Sequence, residues 1–427
     1  MARKLRALAA GGVVVALTGA MTGCWYQPGH GPDRTAFDDL ETTIGVGNVD
    51  ELTERWSAAT DGTGVGDPVV SNRGVHVVDS AESWYAFDTG TGERLWTHHV
   101  ENPGIPLVIG PAISDGNRVL VTSGIGNLGG HYTSSWLDAA TGADLGAGEA
   151  SALVDALRGT RSAWRHVGFG SGTPVATSLI LRDSADPGFG WSRPIFVSSG
   201  IGGPAAPPVT LGEHGVYQAG TGFLLAGGAT PSTGNGVRAW PLTDPPSCVP
   251  QAPTVACPSW SLAIGGTSAT PPVLGPGEAV LYTVDDLGTV YAVTTADGRL
   301  QWTATLGSTS TGAPALANGV LYVPTAAGVV AVDADGCGAA SCSPLWRAAH
   351  PDGAGARRQP AVANGVLYSA GNDDALRAFD AAGCGAAVCD PLWSADVGSG
   401  ITGAPAVSNG QLYVGTQDGR VVAYGLG

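Results

Sequence analysis

The stretch TGAPALANGVLYVPTAAGVVAVDADG, from Thr311 to Gly336, decides the fold because the chain repeats its pattern twice more. The second copy is RQPAVANGVLYSAGNDDALRAFDAAG, from Arg358 to Gly383, and the third is TGAPAVSNGQLYVGTQDGRVVAYG, from Thr402 to Gly425. Each copy runs from a proline through small apolar residues to Asn-Gly, and then through two β-rich segments separated by a turn. Self-similarity at a fixed period is the sequence signature of a repeat architecture.

The Asn-Gly pairs at 318–319, 364–365 and 409–410 predict two-residue hairpins. A type I′ turn needs a positive φ at both central residues, and Asn-Gly adopts this conformation at low cost. We call the strands before and after this turn A and B, and the next strand C. A fourth strand, D, follows a further turn and carries a tryptophan; the candidates are Trp96, Trp260, Trp302, Trp346 and Trp393. Each unit is therefore predicted to be a four-stranded meander.

Prolines that lead strand A recur along the chain, at Pro68, Pro111, Pro174, Pro207, Pro271, Pro314, Pro360 and Pro405. Their mean spacing is about 48 residues, which is about what four short strands with tight turns need. The spacing predicts an all-β, eight-bladed β-propeller, with seven blades plus an insertion as the alternative. The middle of the chain is irregular, and there we expect Trp164 to open strand D of the second unit after an insertion at 148–162.

The two ends of the repeat region are complementary. The last unit stops at VVAYGLG, after its strand C, whereas the first unit is preceded by ELTERWSAAT, which contains Trp56 and has the character of an isolated strand D. A ring in which the amino-terminal strand completes the carboxyl-terminal blade satisfies both ends and leaves no long unpaired edge. We therefore predict that Trp56 and Tyr424 lie on neighbouring strands of one blade.

The composition fits a turn-rich β protein, with 67 glycines and 29 prolines among 427 residues and only 13% charged residues. The formal net charge is −16, and the basic residues of the first segment contribute nothing if that segment is removed. An acidic surface repels phosphate backbones, so we expect no nucleic-acid partner.

The chain begins MARKLRALAAGGVVVALTGAMTGC, a basic start followed by an apolar run from Ala7 to about Met21. This run is shorter than the roughly 20 residues that a membrane-spanning helix needs, so it predicts a signal peptide. The small residues before Cys24 resemble the bacterial lipobox, in which the cysteine is acylated and becomes the first residue of the mature chain. The alternative is an ordinary cleavage site that leaves a free thiol.

These features predict three segments: residues 1–23 as a lipoprotein signal peptide, 24–48 as a lipidated amino terminus and flexible linker, and 49–427 as the propeller domain. The expected location is extracytoplasmic, with the chain anchored to the cell membrane through the lipid on Cys24.

Six cysteines remain when Cys24 is set aside, and they form three local pairs: Cys248 and Cys257, Cys337 and Cys342, Cys384 and Cys389. In an exported protein such pairs predict three disulfides. The alternative is a zinc site, but two of the pairs have Cys-x4-Cys spacing with no histidine close behind, which differs from the usual zinc knuckle. We therefore predict no metal, and we expect all three disulfides to staple C-to-D turns on one face of the ring.

The segments WYAFDTGTGERLW, TVYAVTTADGRLQW and DGRVVAY resemble the pyrroloquinoline quinone repeat of quinoprotein-like β-propellers, over about residues 50 to 427. This resemblance implies an eight-bladed propeller in which the strand D tryptophans pack between blades. The family includes quinoprotein alcohol dehydrogenases, sensor domains of membrane kinases, and the propeller lipoprotein of the outer-membrane β-barrel assembly machinery. The last of these shares a lipid anchor with our prediction and has no catalytic activity.

Catalytic chemistry is not predicted. The quinone site of the dehydrogenases implies two adjacent cysteines above the cofactor ring and calcium held by Glu, Asn and Asp, and the chain contains no adjacent cysteines. The resemblance therefore implies blade geometry without quinone binding. We predict no cofactor, no catalytic residue and no metal ligand.

Polar residues gather on the face opposite the stapled turns and form the predicted partner face: Asp285, Asp286, Arg357, Arg358, Gln359, Asp373, Asp374 and Asp418. The aspartates lie in B-to-C turns, whereas the two arginines lead into a strand A near the mouth of the channel. Paired arginines in so acidic a protein can hold an anion or an acidic group of a partner. The alternative is ordinary turn chemistry with solvated salt bridges.

The sequence therefore favours a lipid-anchored extracytoplasmic propeller that acts as a non-catalytic scaffold for an unidentified envelope protein or small ligand. One alternative is a quinone-dependent dehydrogenase-like enzyme. Another is an extracellular sensor coupled to a separate membrane protein.

Overall fold

The protein folds into eight antiparallel β-sheets that follow one another along the chain. The computed structural model describes residues 24–81, 83–99, 107–109, 113–125, 131–148, 152–168, 175–186, 188–198, 208–224, 232–247, 256–268, 270–351 and 354–427. A strands of most neighbouring blades contact one another, which places them around a common axis. The prediction of an all-β, eight-bladed propeller is confirmed.

The blades are numbered in chain order, and their strands are given as A, B, C and D. Blade 1 comprises Val69–Ser71, Gly74–Val78, Ser83–Phe87 and Arg94–His99. In blade 2 two short segments share the A position, and the strands are Leu107–Ile109 with Ile113–Ser114, Arg118–Ile125, His131–Asp138 and Asp144–Ala147. Blade 3 comprises Leu153–Arg158, Arg161–Gly168, Val175–Asp183 and Ser192–Ser198. Blade 4 comprises Thr210–Leu211, Val216–Leu224, Ser232–Trp240 and Trp260–Ala263.

The second half of the ring is more regular. Blade 5 comprises Val273–Leu274, Val280–Val284, Thr289–Thr294 and Leu300–Thr305. Blade 6 comprises Ala315–Ala317, Val320–Thr325, Gly328–Asp333 and Trp346–Ala348. Blade 7 comprises Ala356–Ala363, Val366–Gly371, Ala375–Asp380 and Trp393–Asp396. Blade 8 comprises Ala406–Ser408, Gln411–Gly415, Arg420–Gly425 and Thr53–Ala59. In the part of the chain that is described, the helices are single 3-10 turns such as Val49–Glu51, and none could cross a membrane.

The Asn-Gly turns adopt the conformation that the sequence predicts. At the turn of blade 6, φ is 50° at Asn318 and 77° at Gly319, and the same pair of positive values recurs in blades 7 and 8. The A-to-B turns and the C-to-D turns lie on one face of the ring, which we call the stapled face. The D-to-A and B-to-C loops lie on the other, which we call the loop face.

The ring closes as predicted, by pairing the two ends of the propeller within blade 8. Thr53–Ala59 runs antiparallel to Arg420–Gly425, with Trp56 opposite Ala423 and Glu54 opposite Tyr424. The pairing supplies the fourth strand of blade 8 from the opposite end of the sequence. The amino-terminal strand therefore locks the ring.

Tryptophans fill the interfaces between neighbouring blades, which we call seams. Seven of them, on strand D or directly before it, reach into the next blade: Trp56, Trp96, Trp191, Trp260, Trp302, Trp346 and Trp393. Trp56 Nε1 donates to the carbonyl of Thr89 at 2.9 Å, and its ring lies over Gly92. Gly92 has a φ of 70°, and a Cβ there would lie 2.6 Å from the indole, so only glycine fits this close approach.

Residues 24–48 differ from the flexible linker that we expected, because they lie along the A strands on the stapled face. Trp25 pairs with Val70 of blade 1, the backbone of Thr35 accepts a hydrogen bond from Leu316 of blade 6, and Phe37–Asp38 pairs in parallel with blade 7. The contacts proceed from blade to blade around the axis. This segment, which we call the amino-terminal plug, closes the stapled end of the central channel.

Blade 3 corrects the sequence interpretation of the middle of the chain. Trp164 does not open a strand D but lies on Arg161–Gly168, which is strand B, opposite Ile180. The expected insertion at 148–162 contains Leu153–Arg158, which is strand A of this blade. Pro174, which we expected to lead a strand A, lies outside the described residues. The prediction failed because strand A of this blade has no leading proline and no Asn-Gly turn.

Two of the predicted disulfides are present, Cys337–Cys342 and Cys384–Cys389. Cys248 lies outside the described residues, so its disulfide with Cys257 stays a prediction. The stapled loops do not simply project from the face. Ser341–Cys342 pairs in parallel with strand D of blade 5, and Val388–Cys389 does the same in blade 6. Each staple therefore begins at a C-to-D turn and covers the outer edge of the preceding blade.

The staples are expected to contribute modestly to stability. Replacing Cys384 and Cys389 together by serine removes a short loop closure, and the free energy of unfolding should fall by about 2 kcal/mol. Urea unfolding of the variant and of the wild type, both under oxidising conditions, measures the difference. If the free energy of unfolding fell as much as it does when the pairing within a blade is disrupted, the staples would not merely cover the outer edges of the blades.

Acid should destabilise the protein through buried histidines. Burial lowers the pKa of His76 to about 3, and its Nδ1 has no partner among the described residues. The unfolded chain binds this proton near pH 6.5, so the stability contribution is complete above that pH and is lost progressively as the pH falls towards 3. Blades 4 to 8, five other blades, carry tyrosine at this position, as at Tyr413. His76→Tyr should reduce the fall in unfolding free energy between pH 6.5 and 4, measured by urea titration, and an unchanged pH dependence would contradict this assignment.

Candidate functional site in the central channel

The central channel contains a cavity of about 660 Å³. Its mouth is formed on the loop face by D-to-A loops from several blades, which include residues 64–67, 270–271 and 311–313. Its floor is formed by the amino-terminal plug through Pro28 and Arg34. The cavity is therefore a closed-ended pocket on the axis of the ring.

A buried charge network lies at the bottom of this pocket. Arg34 Nη2 donates to the backbone carbonyl of Asp155 at 2.5 Å, and Arg165 Nε lies 3.1 Å from the Asp155 carboxylate. Asp155 Oδ2 also accepts a hydrogen bond from the Val209 amide. Burial lowers the pKa of the Arg34 guanidinium, and the nearby Asp155 carboxylate opposes that shift. The network fixes the plug to blades 3 and 4.

Arg358 lies at the mouth of the pocket and is exposed. It has a φ of 65°, an uncommon value for a residue with a side chain, and it lies in a bulge where the register between strands A and B of blade 7 shifts. Gly312 allows this conformation, because a Cβ there would lie 3.0 Å from the Arg358 carbonyl carbon. Among the described residues no carboxylate lies within ion-pair distance of the Arg358 guanidinium. A bulge thus holds, at the rim of the cavity, a cation that has no carboxylate partner in the described part of the chain.

The neighbours of Arg358 have different roles. Arg357 is exposed on strand A, opposite Ala370, and does not line the cavity. Gln359 Nε2 donates to the carbonyls of Arg34 and Pro314, both at 2.8 Å. Gln359 therefore joins the plug to the wall of the channel through both of its donated hydrogen bonds.

The predicted acidic residues mainly form hydrogen bonds that stabilise the fold. Asp285 is only 1% exposed, and its Oδ2 accepts hydrogen bonds from Tyr291 Oη at 2.9 Å and from the Gly266 amide at 3.0 Å. Asp79 and Tyr85 form the same arrangement in blade 1. Asp285 therefore fastens a D-to-A loop to a B-to-C turn and does not contact solvent.

The other aspartates of the predicted face lie on the loop face as expected, but most have partners in an adjacent loop or strand. Asp286 accepts hydrogen bonds from the Thr267 amide and hydroxyl, both at 2.7 Å. Asp373 pairs with Arg377, and Asp418 pairs with Arg420. Asp374 has a φ of 62° and is partly exposed. The structure thus divides the predicted face into aspartates that hold neighbouring loops and strands and a small exposed set around Arg357 and Arg358.

Cys24 lies at the opposite end of the molecule from Arg358. Its Sγ donates to Asn72 Oδ1 at 2.9 Å, in the A-to-B turn of blade 1, and burial raises the pKa of the thiol. The residue is 2% exposed. The chain therefore enters the described region on the stapled face.

One family model matches residues 48–176, 258–339 and 329–425, and its description is "Outer membrane protein assembly factor BamB". These matches cover more than half of the chain. The chain belongs to this family. No curated protein matches the chain at a significant level.

Solved structures share the propeller fold at low sequence identity. Quinohemoprotein alcohol dehydrogenase from Comamonas testosteroni aligns with a TM-score of 0.66 at 15% identity, over 96% of this chain and 81% of that one. BamB from Moraxella catarrhalis aligns with a TM-score of 0.54 at 16% identity, over 88% and 97%. A europium-containing methanol dehydrogenase aligns with a TM-score of 0.64 at 13% identity, over 95% and 98%. These structures therefore include both enzymes and BamB.

The residues of the channel do not fit a quinone and calcium site. Asp155 is committed to Arg165, and Asp67 Oδ1 accepts a hydrogen bond from the Ala404 amide at 2.7 Å. Among the described residues no group of three or more acidic, histidine or cysteine side chains could hold a metal ion. The donors that face the cavity are mainly guanidinium groups, which favour an anion over a cation.

Proposed function

We propose that the protein is a non-catalytic scaffold of the cell envelope, anchored by a lipid on Cys24, which binds a partner protein at the mouth of the channel on its loop face. Membership of a family described by an outer-membrane assembly factor supports a protein-binding role. The observation that carries the proposal is Arg358, which lies on a strained bulge at the rim of the cavity without a carboxylate partner among the residues that the structure describes, because structures retain such strain mainly at functional sites.

The proposed partner contributes an acidic group. The protein has a formal charge of −16, so an acidic partner would be repelled except where cations are concentrated. Arg357 and Arg358 are consecutive in the chain and both exposed, and a guanidinium group can hold a carboxylate through two parallel hydrogen bonds. The acidic segment would enter the cavity above Arg34 and Arg165.

The position of Cys24 supports this orientation. Because Cys24 lies on the stapled face, a lipid attached there would hold that face towards the membrane and leave the loop face accessible to other proteins. Acylation would convert the thiol to a thioether and remove its hydrogen bond to Asn72. The anchor and the proposed binding surface would then lie at opposite ends of the ring.

Crosslinking from native membranes tests the proposal. The wild-type chain should yield a crosslinked partner that mass spectrometry identifies, and the double variant Arg357→Ala/Arg358→Ala should recover about tenfold less of it. The matched control is Arg55→Ala/Arg299→Ala, which removes two exposed arginines outside the channel. Equal recovery from the channel variant and the control, or turnover of alcohols by the purified protein with added quinone and calcium, would contradict the proposal.

A further inference from the structure

Asp38 of the amino-terminal plug carries a buried carboxylate oxygen that has no hydrogen-bond partner among the described residues. The residue is 0% exposed. Its Oδ1 accepts hydrogen bonds from the amides of Leu40 at 2.9 Å and Glu41 at 3.2 Å, and the oxygen without a partner is Oδ2. Buried carboxylates are normally paired or fully hydrogen-bonded, because removing their charge from water is costly. Asp38 Oδ2 is therefore suited to a positively charged donor.

Glu41 adds a second buried negative charge to the same segment. The residue is 4% exposed, and its carboxylate accepts hydrogen bonds from the amides of Thr43 at 2.5 Å and Gly410 at 2.7 Å. These donors are neutral. Burial raises the pKa of the Asp38 carboxyl, and the Glu41 carboxylate adds to that rise. Two buried carboxylates held by neutral amides favour the binding of a cation.

The basic side chain that faces Asp38 is His30, and it is a poor counter-charge. Burial lowers the pKa of His30, and the carboxylates of Asp38 and Asp39 oppose this shift only in part. The imidazole is therefore neutral at pH 7, and a neutral imidazole does not balance a carboxylate. The other titratable groups that Asp38 acts on are the thiol of Cys24 and the hydroxyl of Tyr26, and neither carries a positive charge.

The amino-terminal plug folds back on itself before it reaches Asp38. The rings of Trp25 and His30 lie 5.0 Å apart, in an edge-to-face arrangement. The Ala36 amide donates to the Gly29 carbonyl at 2.9 Å, so the segment that carries Asp38 runs back past this turn. The start of the plug therefore lies next to the segment that carries Asp38.

Cys24 and Asp38 also lie at the same level of the ring. Cys24 Sγ donates to Asn72 in the A-to-B turn of blade 1, and Asp38 pairs with Ala363, directly before the A-to-B turn of blade 7. Burial raises the pKa of the Cys24 thiol, and the Asp38 carboxylate contributes to that rise, which only a nearby charge can do. The first described residue is thus a neighbour of the buried carboxylate.

Cleavage before Cys24 creates a cation at this place. Hydrolysis of the Gly23–Cys24 peptide bond consumes one water molecule and leaves a carboxylate on Gly23 and an α-amino group on Cys24. An α-amino group has an ordinary pKa of about 8, so it is mainly protonated at pH 7. The uncleaved chain has an uncharged amide at the same atom. Removal of residues 1–23, which the sequence predicts, therefore supplies a positive charge at Cys24.

We propose that the Asp38 carboxylate binds the α-ammonium group of the mature chain, so that Cys24 keeps a free amine and carries no N-acyl chain. A lipid on Sγ leaves the charge of the amine in place, whereas an amide at the amine removes it. The inference rests on the proposed function only in requiring cleavage before Cys24. Because the ion pair forms only after residues 1–23 are removed, processing would fix the amino-terminal plug in the channel.

The composition of the chain allows this amine to be followed selectively. Lys4 is the only lysine, so after cleavage the α-amine of Cys24 is the only primary amine in the protein. The probe is the N-hydroxysuccinimide ester of acetic acid, which reacts with the unprotonated amine. Intact-mass spectrometry of the unlipidated chain 24–427 measures the rate, after hydroxylamine has removed any thioester on Cys24.

Asp38→Asn tests the ion pair. A carboxylate that pairs with the amine raises the pKa of the amine by about one unit or more, so the wild type should react about tenfold more slowly than Asp38→Asn at pH 7. Asp39→Asn is the matched control, because Asp39 is exposed, and it should react at the wild-type rate. Circular dichroism confirms that the variants are folded.

A second comparison keeps Asp38 and moves the amine. A chain that begins at Gly23 places the amine one residue away, about 3.5 Å further along the backbone. This chain should react at the rate of the Asp38→Asn variant, and adding Asp38→Asn to it should leave the rate unchanged. The comparison separates the ion pair from any effect of the substitution on folding.

The native protein tests the state of the amine directly. The tryptic peptide 24–34 from membranes should retain an amine that reacts with the ester, whatever its sulfur carries. An N-acyl chain on this peptide, or equal reaction rates of the wild type and Asp38→Asn, would overturn the inference. Neither result affects crosslinking through Arg357 and Arg358, so the inference and the proposed function can fail separately.

Discussion

Replacing Trp56 by alanine is expected to lower the free energy of unfolding by about 3–5 kcal/mol, the usual cost of truncating a buried tryptophan. Trp56 is 7% exposed and lies on the strand that closes the ring. Its ring packs 5.9 Å from Tyr413 of blade 8 and 6.5 Å from Phe87 of blade 1. The substitution therefore weakens both the closing blade and its seam with blade 1, and urea unfolding monitored by circular dichroism measures the loss.

The control for Trp56 is Leu300→Ala, which shortens an exposed side chain on strand D of blade 5 and should change the unfolding free energy by no more than about 0.5 kcal/mol. If Trp56→Ala were as stable as this control, the amino-terminal strand would not lock the ring.

Replacing Asp155 by alanine is expected to cost about 3–5 kcal/mol, because it leaves buried cations without their counter-charge. The Asp155 side chain is 3% exposed, and it pairs with Arg165 while lying next to Arg34 of the amino-terminal plug. The loss should appear as a lower midpoint in urea unfolding. It should also release the plug, which limited proteolysis near residues 24–48 would detect as faster cleavage.

A second substitution separates the charge from the packing. In Asp155→Ala/Arg165→Met the unpaired guanidinium of Arg165 is removed, and the double variant should regain part of the stability that Asp155→Ala loses. The exposed pair Arg94 and Asp61 is the control, since its removal should cost at most about 1 kcal/mol. No recovery in the double variant would show that the cost does not arise from buried charge.

The regular blades could be predicted because their turns are local. The positive φ values that Asn318 and Gly319 adopt are preferences of those two residue types, and the Asn-Gly turns of blades 7 and 8 repeat them. Closure could be predicted because a strand D without its blade and a blade without its strand D both appear in the sequence. Trp164 was misassigned because blade 3 lacks these local signals, and its strand A begins at Leu153 without a leading proline.

The amino-terminal plug could not be predicted, because its residues meet the blades a few at a time and show no strand periodicity. Phe37–Asp38 is a two-residue strand, and Arg34 is buried only because the ring surrounds it. Charged residues in such a segment suggest exposure to solvent. In the folded protein the closed ring surrounds them and buries them.

A repeated spacing in the sequence could have predicted the buried role of Asp285. Asp285 and Tyr291 are six residues apart, and so are Asp79 and Tyr85, with the same hydrogen bond in each pair. A polar pair at fixed spacing in two repeats indicates a structural contact.

The assignment of faces, channel and seams depends on closure of the ring, and one crosslink tests closure directly. Ala59 lies opposite Arg420 in the antiparallel pair of blade 8, and such neighbours have Cα atoms about 4.5–5.5 Å apart, within disulfide range. Oxidised Ala59→Cys/Arg420→Cys protein should contain an intramolecular disulfide between residues 59 and 420, identified by mass spectrometry of its peptides. Free thiols at both positions in the folded protein, or only intermolecular dimers, would contradict the closed ring.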